Sequence, residues 1–60
     1  MITQKQSIRA CILAEFLTSK GLPIRIFKYI EEQNLIRIEA GSKTRRIRIV
    51  VNEEGKFKYV

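Results

Sequence analysis

Arginines at alternate positions are the residues of this chain best placed to do chemistry. Thr44 to Val51 reads Thr-Arg-Arg-Ile-Arg-Ile-Val-Val. In an extended strand successive side chains point to opposite faces of the sheet. A period of two therefore sends Ile47, Ile49 and Val51 to one side and Arg46 and Arg48 to the other. A guanidinium presents a planar fork of N–H donors that matches a phosphate or a guanine edge.

Other strand-like stretches add to this pair. Read by the same alternation, the outward set is Arg25, Phe27 and Tyr29, then Leu35, Arg37 and Glu39, then Arg46, Arg48 and Val50, and last Lys56 and Lys58. Lys43 and Arg45 extend the charge onto the adjoining hairpin tip. Six cations then face one acid, with two aromatic rings at one edge. Cations neutralise phosphates and release their counterions, and exposed rings offer planes on which unpaired bases stack. The candidate nucleic-acid-binding residues are thus Arg25, Phe27, Tyr29, Arg37, Lys43, Arg45, Arg46, Arg48, Lys56 and Lys58.

Catalytic chemistry finds no such support. The chain has no histidine and one cysteine, Cys11, which removes Ser/His and Cys/His dyads, the usual zinc ligand sets and an internal disulfide. Glu31-Glu32 and Glu53-Glu54 are adjacent pairs in turns and do not converge on one atom. The serines and threonines lack a base, and the three glycines fall at separate turns. The expectation is a non-enzymatic protein with no cofactor and no metal. Twelve Lys and Arg against six Asp and Glu give a formal charge of +6 and favour a polyanionic partner, DNA or RNA. No apolar run approaches the ~18 residues of a membrane span, and no secretory signal pattern is present. The expected location is the cytoplasm.

Elements must position these groups. Thr3 to Lys20 is predicted as a helix, with Thr3 and Gln6 as a capping box, Gly21 as the C-terminal cap and Pro23 as the stop. Its apolar stripe is expected along Ile8, Ile12 and Phe16, widened by Leu13 and Leu17. Arg9 projects into that arc, either with its stem packed and its head at the rim or paired with Glu39 or Glu31. Cys11 reads as a small packed residue at the stripe's edge.

Ile24 to Glu31 reads as a strand with Ile24, Ile26 and Ile30 inward, Arg25, Phe27 and Tyr29 outward, and Lys28 as the one misfit. Glu31 to Asn34 turns the chain. Leu35 to Ala40 sends Ile36, Ile38 and Ala40 inward, and Gly41-Ser42-Lys43 closes a hairpin. Asn52 to Gly55 makes the last turn before Lys56 to Val60. The predicted fold is α+β: an N-terminal helix packed on one face of a four-stranded antiparallel meander sheet, in a single domain over 1–60.

Two further readings stand beside nucleic-acid binding. A 60-residue chain builds only a small core, so association is a natural way to complete it. Phe27, Tyr29, Leu35 and Val50 would then form a homodimer contact or a seat for a partner protein. In the other reading, Tyr29 to Ile38 followed by Gly41 to Arg46 resembles the end of a recognition helix and the wing of a winged-helix DNA-binding domain. That resemblance implies a helix over 24–34 and a wing against the DNA backbone. Ile12 to Gly21 is similar to the first helix and cap of small messenger-RNA-cleaving toxins. Their catalytic histidine has no counterpart here, so no activity is implied.

Overall fold

The computed structural model describes residues 1–60. Helix α1 spans Gln4–Ser19, followed by β1 (Ile24–Ile30), a 3-10 turn (Glu31–Gln33), β2 (Leu35–Gly41), β3 (Arg46–Val51) and β4 (Phe57–Tyr59). The strands pair antiparallel in the order β1-β2-β3-β4. The expected helix on a four-stranded meander is what forms. Residues 24–30 are strand, so the helix that a winged-helix arrangement needs there does not exist.

The helix starts where its cap chemistry says. Thr3 Oγ1 accepts from Gln6 N at 3.1 Å, and Gln6 Oε1 accepts from Thr3 N at 3.2 Å. This reciprocal pair satisfies two backbone donors that a helix start leaves orphaned.

The buried side of α1 differs from the expected stripe. Gln6, Ala10, Leu13 and Leu17 are buried, whereas Ile8, Ile12 and Phe16 are each about half exposed. The reason lies in how the helix is keyed to the sheet. Gln6 is fully buried, and its Nε2 donates to Asn34 O at 2.8 Å and to Val51 O at 3.0 Å. Those two bonds fix the rotation of the helix, and small Ala10 lets the backbones come close. With Ala10 go Leu13, Leu17, Ile38, Ile49 and Val51 in the core cluster. Cys11 is exposed rather than packed. Arg9 is exposed and in no ion pair; its Nε donates to Gly55 O at 3.2 Å. Glu39, one of its expected partners, lies on the far face of the sheet.

Strand β1 also departs from its expected facing. Its register against β2 shifts between Ile24 and Ile26, so that Arg25 is an extra, bulged residue. A bulge inverts the facing of everything after it. Phe27 stands opposite Ile38 and Tyr29 opposite Ile36, on the side the helix covers. Ile26, Lys28 and Ile30 stand opposite Glu39, Arg37 and Leu35, on the open side. The misfit of Lys28 disappears once Arg25 is taken out of the count.

Strands β2, β3 and β4 face as expected. Ile36, Ile38, Ala40, Ile49 and Val51 are buried under the helix. The β2–β3 hairpin closes through a Ser42 N to Arg45 O bond of 2.8 Å, with Gly41 at φ +127°. In a meander, alternate turns lie at opposite ends of the sheet. Glu31, Glu32, Glu53 and Glu54 therefore gather at one end, and Lys43 and Arg45 sit at the other. The helix begins at the acidic end, where Thr3 Oγ1 donates to Glu53 O at 2.6 Å. No helix is long and apolar enough to cross a membrane.

Candidate functional site

Two surfaces carry unsatisfied chemistry, one on each side of the sheet. The open face is built in rows by the strand register. Lys28, Arg37, Val50 and Lys58 form one row, and Ile26, Glu39 and Arg48 the next. Arg46 lies beyond, opposite Gly41. Five cations thus share this face with one acid. Glu39 is engaged by Arg37 on its own strand and lies 3.8 Å from Arg48 Nε across the ladder. Lys28 stands directly opposite Arg37, a like-charge pair that disfavours the ladder locally.

Of the sequence-predicted site residues, Arg37, Arg46, Arg48 and Lys58 come together on this face. Lys56 adjoins them, in a hollow with Leu35, Val50 and Lys58. Lys43 and Arg45 are exposed at the hairpin tip. Arg25 sits at the sheet's edge and is held there, its Nε donating to Gly41 O at 2.8 Å. Phe27 and Tyr29 do not belong to this surface. The Tyr29 hydroxyl donates to Asn34 Oδ1 at 2.8 Å and its ring packs against the core. Partial burial, with Glu31 and Glu53 nearby, raises the phenol's pKa above its ordinary value, so it remains a hydrogen-bond donor. The open face is therefore cationic and aliphatic, with no pair of stacking rings from β1. Lys28, set aside as a misfit, is a member of it.

The second surface is apolar and was not anticipated. The helix packs chiefly on β2, with β1 and β3 to either side, and β4 lies at its margin. Phe57 and Tyr59 pair with Val51 and Ile49, so they face the helix side, yet they are 40% and 66% exposed. Their rings meet edge to face, 6.2 Å between centroids and 82° apart. The helix carries its own exposed apolar line beyond this margin, with Phe16 nearest the sheet and Ile12 and Ile8 turned progressively toward solvent. Lys5 and Arg9 approach Gly55 in the β3–β4 turn, and Ile8 shares a hollow with Glu54 and Gly55. Residues three and four apart share a helix flank. Ile12 and Phe16 thus continue the line from Ile8 and Arg9 along the same side. Lys20 Nζ lies 5.6 Å from the centre of the Phe16 ring, a cation–π contact at the top of that flank.

No three His, Cys, Asp or Glu side chains converge as metal ligands would. The profile of a family described as a domain of unknown function, DUF6888, matches residues 1–58. The chain belongs to that family. No curated protein and no solved structure matches it. For this DUF6888 domain, then, its own two faces carry the functional argument. A sequence signal for the apolar one existed. Ile8, Ile12 and Phe16 run at helical spacing, with Leu13 and Leu17 at the stripe's edge, but Gln6, Ala10, Leu13 and Leu17 fit a helix period equally well.

Proposed function

We propose that this DUF6888 protein is a non-enzymatic protein-interaction module, and that it engages its partner through the flank of α1 beside β4. The observation that carries this reading is the set of Ile8, Ile12, Phe16, Phe57 and Tyr59, each between 40% and 66% exposed. Scattered apolar residues are ordinary on a surface, but Ile8, Ile12 and Phe16 follow one line along the helix, and Phe57 and Tyr59 meet edge to face on the helix side of the margin strand. Given the ~150–250 Å² that an aromatic side chain spans, the five expose roughly 500 Å² in all, comparable to the largest apolar patch of a typical monomer, which is often its functional one. Both elements are regular, so the groups are held ready with little ordering left to do. Leu35 and Val50 lie on the opposite face from Phe27 and Tyr29, so these four do not make one contact surface.

A photoreactive benzoyl-phenylalanine at position 16 or 59 tests this in living cells. The expected result is a discrete protein adduct from both positions and none from position 46. Phe16→Gln combined with Tyr59→Thr is expected to abolish the adduct from position 12 while changing stability by less than about 1 kcal/mol, since both side chains are largely exposed. Adducts from position 46 alone would refute the reading. Light scattering at high concentration distinguishes a second copy of the chain from a different partner.

The open face favours a second reading, nucleic-acid binding. Its support is five cations against one acid, with Lys28 set against Arg37 across the ladder. A bound phosphate backbone would relieve that repulsion. Engagement of about five phosphates gives a log–log salt slope of about −3.5 on single strands and about −4.5 on duplex. Arg46→Ala with Arg48→Ala is expected to reduce the slope by about 1.5 while leaving the fold intact. A salt-independent signal, or none at low salt, excludes this reading. The exposed Cys11 thiol suits a reducing compartment, and we extend the proposal to a cytoplasmic location.

A further inference from the structure

We infer that β4 receives an extended segment of a partner protein, one in which apolar and acidic residues alternate, as a fifth strand of the sheet. This rests on the protein-interaction reading and names the partner's chemistry.

The backbone supplies the first argument. Lys56 O accepts from Asn52 N at 2.8 Å, and Val60 N donates to Arg48 O at 3.0 Å. In an antiparallel ladder, alternate residues of a strand bond to the same neighbour. Lys56, Lys58 and Val60 therefore turn their peptide groups toward β3. Phe57 and Tyr59 turn theirs outward, offering two N–H and two C=O groups in line. The other edge of the sheet is guarded. Strand β1 follows Pro23 and is bent by the bulge at Arg25, both of which discourage pairing. Strand β4 has neither proline nor bulge. Its safeguards are its three-residue length and its lysines, which repel a cationic strand and admit a short acidic one. Its start is anchored by the Thr3 and Arg9 bonds to Glu53 O and Gly55 O.

Side chains supply the second. A strand added beside β4 has two faces. On the helix side its residues meet Phe57, Tyr59 and the Ile12–Phe16 flank, so they must be apolar. On the open side they meet Lys56 and Lys58, which have no salt-bridge partner, so acidic residues complete them. Apolar contacts and edge hydrogen bonds give affinity, and the alternation gives specificity.

A second copy of this chain is a poorer occupant. Two-fold pairing centred on Lys58 sets that lysine against its own counterpart. Centring on Phe57 sets Lys56 against Lys58. Centring on Tyr59 avoids both clashes but sets Lys58 against Val60, with no acid to meet the lysine.

The test uses the whole protein, labelled for NMR, and three short peptides. One alternates valine and glutamate, one alternates valine and lysine, and the third is the glutamate peptide N-methylated on the amides of one edge. The glutamate peptide is expected to shift the resonances of Phe57 to Val60 and of Ile12 and Phe16, and to slow amide exchange at Phe57 and Tyr59. The lysine peptide is expected to bind about tenfold more weakly, and Lys58→Glu to reverse that order. N-methylation is expected to cost at least about tenfold. No binding of the glutamate peptide, equal binding of the N-methylated one, or shifts confined to the acidic turns would overturn the inference. If the peptides fail while the adducts at positions 16 and 59 persist, the strand-addition idea falls and the interaction surface stands.

Discussion

Gln6→Ala is expected to lower stability by about 3 kcal/mol, enough to leave much of this domain unfolded. A chain of this length has roughly 3–9 kcal/mol to lose. Gln6 is fully buried and joins three parts of the molecule that are distant in sequence. Its amide nitrogen holds Asn34 O and Val51 O, and its carbonyl holds Thr3 N. Truncation takes a donor from two carbonyls and the acceptor from one N–H. Val51 O keeps its ladder bond to the facing strand at Ile36, whereas Asn34 O and Thr3 N lose the partner Gln6 gave them. A buried group without a partner costs about 1–3 kcal/mol. Val51 is completely buried, so water cannot replace the lost donor there. Gln6→Met, which keeps the bulk, is expected to recover less than half of the loss, because the bonds and not the volume dominate.

Gln6→Glu separates the two roles of the side chain by pH. Its carboxylate would still accept from Thr3 N but would face two carbonyl oxygens. Burial and that repulsion raise the folded-state pKa above the unfolded value of about 4.3. The penalty is therefore full above the raised value and shrinks as pH falls toward the unfolded one, where the protonated acid can donate to one carbonyl. Urea denaturation at neutral and acid pH reads this directly. The gap between variant and parent midpoints should narrow on acidification, and an unchanged gap would show that the amide's donors are not what holds the helix.

Gly41→Ala is expected to be comparably damaging, and for a different reason. Gly41 has φ +127°, a conformation that residues with a Cβ rarely adopt. A Cβ there would lie 1.9 Å from Arg45 O and 2.8 Å from Arg46 Cα. Both are backbone atoms, so no side-chain rotation relieves the clash. The hairpin must open, and with it the Ser42–Arg45 bond and the end of the β2–β3 ladder. A cost of about 3 kcal/mol or more is the order expected for strained backbone with broken pairing. The loss should appear first as rapid amide exchange at Ser42 and Arg46. Gly21→Ala is the contrast. Its added Cβ meets nothing within 4 Å, so only its φ of +77° is penalised, by about 1 kcal/mol. Equal effects at the two glycines would show that crowding by Arg45 is not the cause.

The meander was legible because three signals agreed. Alternation in β2 and β3, turn residues at regular intervals and a capped helix at the start left little choice of topology. The facing of β2, β3 and β4 followed from the same alternation. Strand β1 departs from its expected facing because a bulge leaves no mark in composition. Its trace was Lys28, a cation on the side assigned to the core. Treating Arg25 as the extra residue repairs the pattern and moves Phe27 and Tyr29 to the helix side of the sheet, where Tyr29 packs on the core and Phe27 stays about half exposed at the edge. The helix departs from its expected stripe because two lines at helical spacing compete, and the wheel alone favours the more apolar Ile8–Ile12–Phe16 line. Here a glutamine and an alanine take central positions, since one sets the rotation by hydrogen bonding and the other permits close approach. The displaced Ile8, Ile12 and Phe16 then become the surface on which the functional proposal rests.

The sorting of charge between the two ends of the sheet has a consequence for encounter. With four glutamates at one pole and the Lys43–Arg45 loop at the other, the molecule carries a permanent electric moment along its strands. In the field of a highly charged body it would feel a torque as well as an attraction. It would arrive loop first, and its angle of approach would be chosen before any atoms touch.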